Sequence, residues 1–332
     1  MFENRETIRE NDENLSEYST LIERVLEEIR KVIVGQDEIL QKLLTCLLSS
    51  GHILIEGVPG LAKTLIAKTI ASVIDCDFSR IQFTPDLLPA DILGTMVYNQ
   101  KTGEFYVKKG PIFSAIVLAD EINRAPAKTQ SALLEAMQEK QVTIGENSFP
   151  LDEIFMVIAT QNPIEQHGTY PLPEAQIDRF MMKLKINYPT KKEELEILSL
   201  HGSGENINAS KILDKDKLLE IRKAVHSIYM DKKIEEYIVN LVLASRDPIS
   251  FNIPEISDMI SYGASPRASI YLKVASKSYA LINGRNYVIP DDVQEISYDI
   301  LRHRIILSYE AQAEEIDTDK IIEMILSKVD TP

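Results

Sequence analysis

The feature that most constrains the fold of this chain is a glycine-rich turn between a short apolar run and a helix. The run His52-Ile-Leu-Ile-Glu56 has the length and composition of a buried strand. The turn Gly57-Val-Pro-Gly-Leu-Ala-Lys-Thr64 follows at once, and the apolar spacing of residues 64–73 predicts a helix. Glycines allow backbone N–H groups to surround a phosphate, and the helix N-terminus adds its positive dipole. The segment is therefore predicted to be a phosphate-binding loop.

Two side chains of this loop have roles that phosphate chemistry assigns. Lys63 would reach the β- and γ-phosphates of a nucleotide, and the Thr64 hydroxyl would bind Mg²⁺. The general motif has glycine directly before the lysine, whereas this chain has Ala62. An ordinary strand-to-helix turn is the alternative interpretation of the loop alone. The predicted nucleotide-binding residues of the loop are Gly57, Val58, Pro59, Gly60, Leu61, Ala62, Lys63, Thr64 and Leu65.

A second apolar run ends in two acidic residues. In a parallel sheet, Ile116-Val-Leu-Ala-Asp120-Glu121 would bring both carboxylates to the end of a strand beside the phosphate-binding loop. Asp120 is suited to holding Mg²⁺ through water, and Glu121 is suited to orienting and polarising an attacking water. The alternative is a pair of acids in a strand-to-helix loop, but the phosphate-binding loop upstream favours the catalytic interpretation.

A third strand candidate, residues 154–160, is followed by Gln161-Asn162-Pro163. The amide of Asn162 could bond the attacking water or the γ-phosphate, because it both donates and accepts hydrogen bonds. A plain Asn-Pro turn is an equally good interpretation of this signal alone.

Residues 173–180 predict a short helix with Arg179 near its end. Arg179 is predicted to enter the nucleotide site of a neighbouring subunit, where it would stabilise charge on the phosphoryl group being transferred. The alternative is a surface arginine that pairs with Glu174 or Asp178, a contact worth less than about 1 kcal/mol.

A further arginine, Arg267, lies at the start of a predicted helix over residues 267–282. Ser265 suits the N-cap and Pro266 suits the first helical position. The helix dipole disfavours a cation in the first turn, so a nearby anion such as a nucleotide phosphate would explain Arg267. The alternative is an arginine that points into solvent, and local evidence does not separate the two.

The order of the predicted elements indicates an α/β fold class followed by a helical region. Strands alternate with helices, which predicts a mostly parallel sheet between two layers of helices, with hairpins at 96–107 and 141–151. We expect residues 1–190 to form a three-layer αβα nucleotide-binding core, with residues 1–16 as a frayed or weakly helical arm. Beyond this core the apolar spacing is helical throughout, so residues 191–332 are predicted to form a smaller all-α domain.

Composition excludes several classes of protein. The 332 residues include 51 acidic and 36 basic side chains, and the net charge of −15 disfavours indiscriminate binding to nucleic acid or anionic lipid. The chain shows no apolar leader and no apolar stretch of about 18 residues, so we expect no membrane insertion. Cys46 and Cys76 form neither a disulfide framework nor a zinc spacing, and we therefore expect a reduced, cytoplasmic protein.

Taken together, these motifs resemble those of AAA+ ATPases, and specifically the MoxR family. The resemblance runs from about residue 20 onward and includes an adenine-proximal segment, Walker A, Walker B, sensor 1, an arginine finger and sensor 2. The segments are, in that order, Val32–Gln36, Gly57–Thr64, Ala119–Ala125, Ala159–Pro163, Asp178–Phe180 and Tyr262–Ala268. The alanine before the lysine is the MoxR form of Walker A. The resemblance adds Val34 and Gly35 as residues near the adenine.

Three further positions follow from the same resemblance. The hairpin at 96–107 resembles the helix-2 insert, and the hairpin at 141–151 resembles a pre-sensor 1 hairpin. Gln82 falls where related proteins place a polar residue that restrains the Walker B glutamate. His167 departs from the family pattern, which has an acidic residue there, and is best interpreted as a loop histidine with no special role.

The resemblance implies an ATP- and Mg²⁺-dependent ring of identical subunits, usually a hexamer, with nucleotide sites between protomers. It also implies a chaperone-like activity toward a partner protein, often one with a von Willebrand A domain and its bound divalent metal. Two alternatives on the same core stay open, a nucleic-acid motor and a subunit of a metal chelatase. Lys101, Lys108 and Lys109 modestly favour the motor, whereas the net charge disfavours it. Whether Arg267 acts on its own protomer's nucleotide or on the neighbour's also stays open.

Overall fold

The computed structural model describes residues 3–163, 168–202 and 207–332, and His167 lies outside the described residues. The strands within these ranges are β1 (Ile53–Glu56), β2 (Phe78–Gln82), β3 (Gly94–Asn99), β4 (Glu104–Lys109), β5 (Ile116–Asp120), β6 (Gln141–Ile144), β7 (Asn147–Pro150), β8 (Met156–Gln161), β9 (Met182–Lys185), β10 (Ile260–Tyr262) and β11 (Ile306–Leu307). The α-helices are α1 (Glu3–Arg30), α2 (Asp37–Leu48), α3 (Lys63–Val73), α4 (Pro89–Leu93), α5 (Ala127–Glu139), α6 (Glu174–Ile177), α7 (Lys191–His201), α8 (Lys215–Ser227), α9 (Lys232–Ala244), α10 (Pro266–Ile282), α11 (Pro290–Leu301), α12 (Tyr309–Ala313) and α13 (Thr318–Lys328).

Five strands form one parallel sheet in the order β2-β5-β8-β1-β9. Successive side chains of a strand point to opposite faces. Along β1, Ile53 and Ile55 therefore enter the hydrophobic core under helices α1, α2 and α3, whereas Leu54 enters the core under α5. Burial on both faces explains why these strands are continuous apolar runs. The predicted three-layer αβα architecture is confirmed.

Both predicted hairpins are present. Strand β3 pairs with β4, and β6 pairs with β7, each in antiparallel register. The first turn contains Gly103 with φ 72°, and the second contains Gly145 with φ 65°. Glycine adopts these values without the steric cost that a Cβ would add.

Two helix boundaries can be compared with the predicted domain limits, one at the start of the chain and one at the start of α7. Helix α1 begins at Glu3, so it includes most of the segment for which we expected a frayed or weakly helical arm. Helix α7 begins with a capping box, in which the backbone N–H of Thr190 donates to Glu193 Oε2 at 2.6 Å. The division into domains at residue 190 stays a prediction.

The region after residue 190 is predominantly helical, as expected, but it also contains a short ribbon that the sequence analysis missed. Helix α11 ends at Leu301, and β11 pairs in antiparallel register with β10. A strand of two or three residues is too short to produce a periodic apolar pattern, so sequence reasoning had no signal for it.

The helical region packs directly on the αβα layers and shares their larger hydrophobic core. The buried guanidinium of Arg222 on α8 joins the two parts, donating to the carbonyls of Leu47, Glu153 and Ile154 at 2.9–3.1 Å. Among the helices that the structure describes, none is long and apolar enough to cross a membrane.

Candidate active site

A cavity of about 500 Å³ opens at the carboxyl ends of the central strands, a volume typical of small-molecule sites. We call it the loop cavity, and its lining is Pro59, Gly60, Leu61, Ala62, Lys63, Thr64, Leu65, Arg80, Gln82, Asp120, Glu121 and Asn162. Strands β5, β8 and β1 are neighbours in the sheet, so residues at their ends are brought together. The structure thus unites the predicted residues of three separate motifs.

The loop owes its shape to residues with positive φ. Gly60 has φ 87°, and no atom lies within 4 Å of the position that a Cβ would occupy there. Ala62 has φ 54° and ψ 18°, a left-handed conformation that costs an L-residue other than glycine about 1–2 kcal/mol. Helix α3 begins at the next residue, Lys63, so its N-terminal N–H groups face the cavity region. The chain accepts backbone strain at Ala62 to form this turn.

The ammonium group of Lys63 donates a hydrogen bond to the carbonyl oxygen of Gly57 within the same loop. Partial burial lowers the pKa of Lys63, and the nearby carboxylates of Asp120 and Glu121 oppose that effect. Gly57 also packs tightly, because a Cβ at this position would lie 2.9 Å from the carbonyl oxygen of Ile186. The lysine is therefore held next to the cavity by the loop itself.

Both carboxylate oxygens of Asp120 have protein partners. Asp120 Oδ2 accepts from Arg80 Nε at 3.1 Å and from Arg80 Nη2 at 2.7 Å, and Oδ1 accepts from the Thr160 hydroxyl at 2.6 Å. The same Thr160 hydroxyl accepts from the backbone N–H of Glu121 at 2.8 Å. Strands β2 and β8, which lie on either side of β5, thus each provide a side chain that fixes this carboxylate.

The carboxylate of Glu121 is held by the polar side chains of Gln82 and Arg124. Gln82 Nε2 donates to Glu121 Oε2 at 3.0 Å, and Gln82 Oε1 accepts from Arg80 Nη2 at 2.7 Å. Arg124 forms an ion pair with the same Glu121 oxygen at 3.0 Å. The contact between Gln82 and Glu121 is the one that the family resemblance implied for this position.

Sequence reasoning missed Arg80, Thr160 and Arg124. One signal could have found Arg80, because it lies two residues before Gln82 and alternate residues of a strand share a face. Thr160 precedes the Gln161-Asn162 segment and could have been placed on the same strand end. Arg80 and Thr160 each lie 40 positions from Asp120 in the sequence, so no local pattern could indicate that they bind it.

A smaller cavity of about 140 Å³ adjoins the loop cavity and shares several of its residues. We call it the apolar cavity, and its lining is Val32, Ile33, Val34, Gln36, Gly60, Leu61, Ala62, Leu65, Pro189 and Ile197. The predicted adenine contact Val34 is among these residues. Gly35 is not, but it has φ 68°, and a Cβ there would collide with the carboxylate of Glu193. Glycine therefore suits position 35, between the lining residues Val34 and Gln36.

The two predicted arginines lie elsewhere. Arg179 and Arg267 line a separate cavity of about 190 Å³, the arginine cavity, together with Lys140, His52 and Tyr271 among others. Among the residues that the structure describes, no carboxylate lines this cavity, so it is suited to an anion. The cavity shares no lining residue with the loop cavity.

The carboxylate of Asp178 does not pair with Arg179 as the alternative interpretation proposed. Asp178 Oδ2 accepts from Arg267 Nη1 at 3.0 Å, and Oδ1 accepts from Arg304 Nε at 2.8 Å. Ser265 precedes α10 as expected, but its hydroxyl donates to Asp178 at 3.2 Å instead of capping the helix.

Comparison with known proteins identifies the family. A model described as "ATPase family associated with various cellular activities (AAA)" matches residues 52–182, and one described as "AAA lid domain" matches residues 255–325. The chain is 47% identical over 311 residues to Chaperone MoxR1 of Mycobacterium tuberculosis, which covers 94% of this chain and 82% of that protein. The chain belongs to the MoxR family of AAA+ ATPases.

Other relatives of this MoxR protein agree with the assignment. Protein MoxR of Methylorubrum extorquens is 28% identical over 345 residues, which is 98% of this chain and 99% of that protein. A crystal structure described as a candidate ATPase of Cytophaga hutchinsonii superposes with a TM-score of 0.92 at 52% identity and covers 99% of both chains. The recognition of a MoxR-type core with a helical lid is confirmed.

Proposed function

We propose that this MoxR protein binds ATP with Mg²⁺ in the loop cavity and hydrolyses it between neighbouring copies of a ring. The cycle would remodel or activate a partner protein. The observation that carries the proposal is the convergence of Lys63, Thr64, Asp120, Glu121 and Asn162 on one cavity at the ends of adjacent strands. Phosphoryl-transfer chemistry assigns a separate role to each of these side chains.

The residues present fit a magnesium–nucleotide complex. Mg²⁺ takes oxygen ligands and is usually held by one or two protein groups together with phosphates and water. The Thr64 hydroxyl would provide one such oxygen, and the Asp120 carboxylate would hold the ion through water. The open space beside Gly60 lets a phosphate approach the backbone N–H groups. When bound, Mg²⁺ would neutralise charge on the phosphates.

The other side chains have distinct roles in the proposed hydrolysis. Lys63 would exchange its bond to the Gly57 carbonyl for one to the β- and γ-phosphates. Glu121 would accept a hydrogen bond from the attacking water and orient it, and Asn162 would hold the same water or the γ-phosphate. Glu121 would turn its Oε2 away from Gln82 to face that water. We propose that Gln82 restrains hydrolysis until the ring is correctly assembled.

Arg179 and Arg267 would complete the site of a neighbouring copy. Their location in the arginine cavity, away from their own loop cavity, supports action in trans for both. A head-to-tail contact of this kind closes into a ring when its rotation allows. We propose a homohexamer, as the family resemblance implies.

The partner that we propose is a protein with a von Willebrand A domain. The first hairpin supports binding of a protein, because Tyr98, Phe105 and Tyr106 are each at least half exposed there and such residues are enriched in protein interfaces. We place the activity in the cytoplasm, where the free thiols of Cys46 and Cys76 would stay reduced.

The Glu121→Gln variant tests the proposal. We expect it to bind a fluorescent ATP analogue as the wild type does, but to release phosphate at least about 10²-fold more slowly. It should also hold a purified von Willebrand A domain protein in an ATP-dependent complex on size-exclusion chromatography. Glu323→Gln, an exposed change on α13, is the matched control and should behave as wild type.

Two results would contradict the proposal. If Glu121→Gln released phosphate at the wild-type rate, the assigned role of this carboxylate would be wrong. If DNA stimulated phosphate release and the protein partner did not, the nucleic-acid motor would replace the chaperone.

A further inference from the structure

The carbonyl groups of the backbone that carries Arg179 are bound by side chains of the helical lid, whereas the backbone N–H groups of residues 178–181 donate to carbonyls of the αβα core. Four consecutive carbonyl oxygens, those of residues 178–181, each accept a hydrogen bond from the lid. The bonds are Arg304 Nη2 to Asp178 O at 3.0 Å, Tyr271 Oη to Arg179 O at 3.5 Å, Arg304 Nη2 to Phe180 O at 2.6 Å, His303 Nε2 to Phe180 O at 3.0 Å, and Arg304 Nη1 to Met181 O at 3.1 Å.

Arg304 makes three of these five bonds and is 4% exposed. Its guanidinium stacks on the Tyr271 ring, with 5.0 Å between the guanidinium carbon and the ring centroid. Its charge is balanced by the carboxylate of Asp178, 2.8 Å away. A buried guanidinium is costly unless it is paired and its N–H groups are bonded, and here both conditions are met. The contact is therefore rigid and specific to an arginine.

Asp178 also connects this cluster to Arg267. Its second carboxylate oxygen accepts from Arg267 Nη1 at 3.0 Å, so one aspartate pairs with both lid arginines. Arg179 follows Asp178 directly in the chain. Movement of the lid that carries Arg267 and Arg304 would therefore displace the Arg179 backbone as well.

We propose that Arg304 is a positioning residue that fixes Arg179 for the nucleotide site of the neighbouring copy. It acts through Asp178 and the carbonyl groups of residues 178–181, so that the lid and the Arg179 segment move as one body. This inference rests on the proposed shared site, because only there does the orientation of Arg179 affect turnover.

Replacement of Arg304 by methionine tests the inference. An arginine of this kind contributes about 10³–10⁵ in kcat, and a misplacement of about 1 Å can cost about 10²-fold. We expect Arg304→Met to lower kcat at least tenfold while nucleotide affinity and KM change less than about twofold. Arg304→Lys, which keeps the charge near Asp178, should recover part of kcat.

Mixed rings separate a positioning role from general damage. Arg304→Met subunits keep an intact loop cavity, whereas Lys63→Ala subunits keep an intact Arg179 segment. In a 1:1 mixture about a quarter of the head-to-tail interfaces combine the two intact halves. We therefore expect phosphate release by the mixture to exceed that of either variant alone severalfold.

Two controls determine how the result of the mixing experiment is interpreted. Arg179→Ala mixed with Lys63→Ala must regain activity, and failure here would overturn the shared site itself. If that mixture recovers and the Arg304→Met mixture does not, the inference is wrong. Arg222→Met removes another buried arginine of the helical region that is bound to carbonyls, and it should lower stability yet keep kcat. If Arg304→Met does not fold, Asp178→Asn takes its place in the same mixture with the same expected recovery.

Discussion

The environment of His52 predicts how the stability of the protein depends on pH and how large the effect is. The ring is buried between the sheet and α5, where Nδ1 accepts from the backbone N–H of Val157 at 3.0 Å and Nε2 faces the carbonyl of Met137 at 3.2 Å. Because Nδ1 accepts a hydrogen bond, the folded state requires a neutral ring. Burial accordingly lowers the pKa of His52 from 6.5 to about 4.

The sign of the pH effect follows from proton linkage. Between pH 6.5 and 4 the unfolded chain binds a proton at His52 that the folded protein excludes, so stability falls as the pH falls through this range. Above pH 6.5 the stabilisation is fully present, and below pH 4 nothing further is lost. A lowering of the pKa from 6.5 to about 4 corresponds to about 3 kcal/mol in the free energy of unfolding.

The perturbation that isolates this effect is His52→Asn, because the asparagine Oδ1 can accept from Val157 without titrating. At pH 7 the variant should be less stable than wild type by about 1–3 kcal/mol, since it loses the contact to Met137 and the packing of the ring against Phe155. The assay is urea unfolding of both proteins at several pH values between 7 and 4. The advantage of the wild type should fall by about 3 kcal/mol across this range, so that at pH 4 the variant is at least as stable as the wild type. If the free energy of unfolding changed with pH in the same way for both proteins, the reasoning would be refuted. His303 is present in both proteins, so its own contribution cancels in the comparison.

Three further changes test separate parts of the site. Lys63→Ala removes the cation of the phosphate-binding loop and should weaken binding of a fluorescent ATP analogue at least about tenfold, whereas equal binding would contradict the assigned role. Gln82→Ala removes one restraint on Glu121, and phosphate release without a partner should rise by up to about tenfold, because a hydrogen bond to a charged group contributes about 1.5 kcal/mol. Ala62→Gly relieves the left-handed alanine, and thermal unfolding should show a gain of about 0.5–1 kcal/mol after the extra entropy of the unfolded chain is subtracted. A lower melting temperature would argue against strain at this turn.

The sequence alone was sufficient for the fold class and for the centre of the candidate site. Apolar strands followed by Gly57–Thr64, by Asp120 and Glu121, and by Asn162 are local patterns. In a parallel sheet, neighbouring strands deliver their carboxyl ends to one edge, so these local patterns already imply a common cavity. The two hairpins could likewise be predicted from their turn residues and from the alternating residue pattern along their strands.

Only the tertiary structure decided which groups hold these side chains. Arg80 binds Asp120 across 40 residues of chain, Arg267 binds Asp178 across 89, and Arg304 binds Asp178 across 126. The contact of Arg80 depends on which strands are neighbours in the sheet. The contacts of Arg267 and Arg304 depend on how the helical lid packs against the sheet, which is determined by the shared hydrophobic core and not by any local spacing. The sequence therefore specified the chemical groups of this protein, and their long-range packing decided that Arg179 and Arg267 lie away from their own phosphate-binding loop.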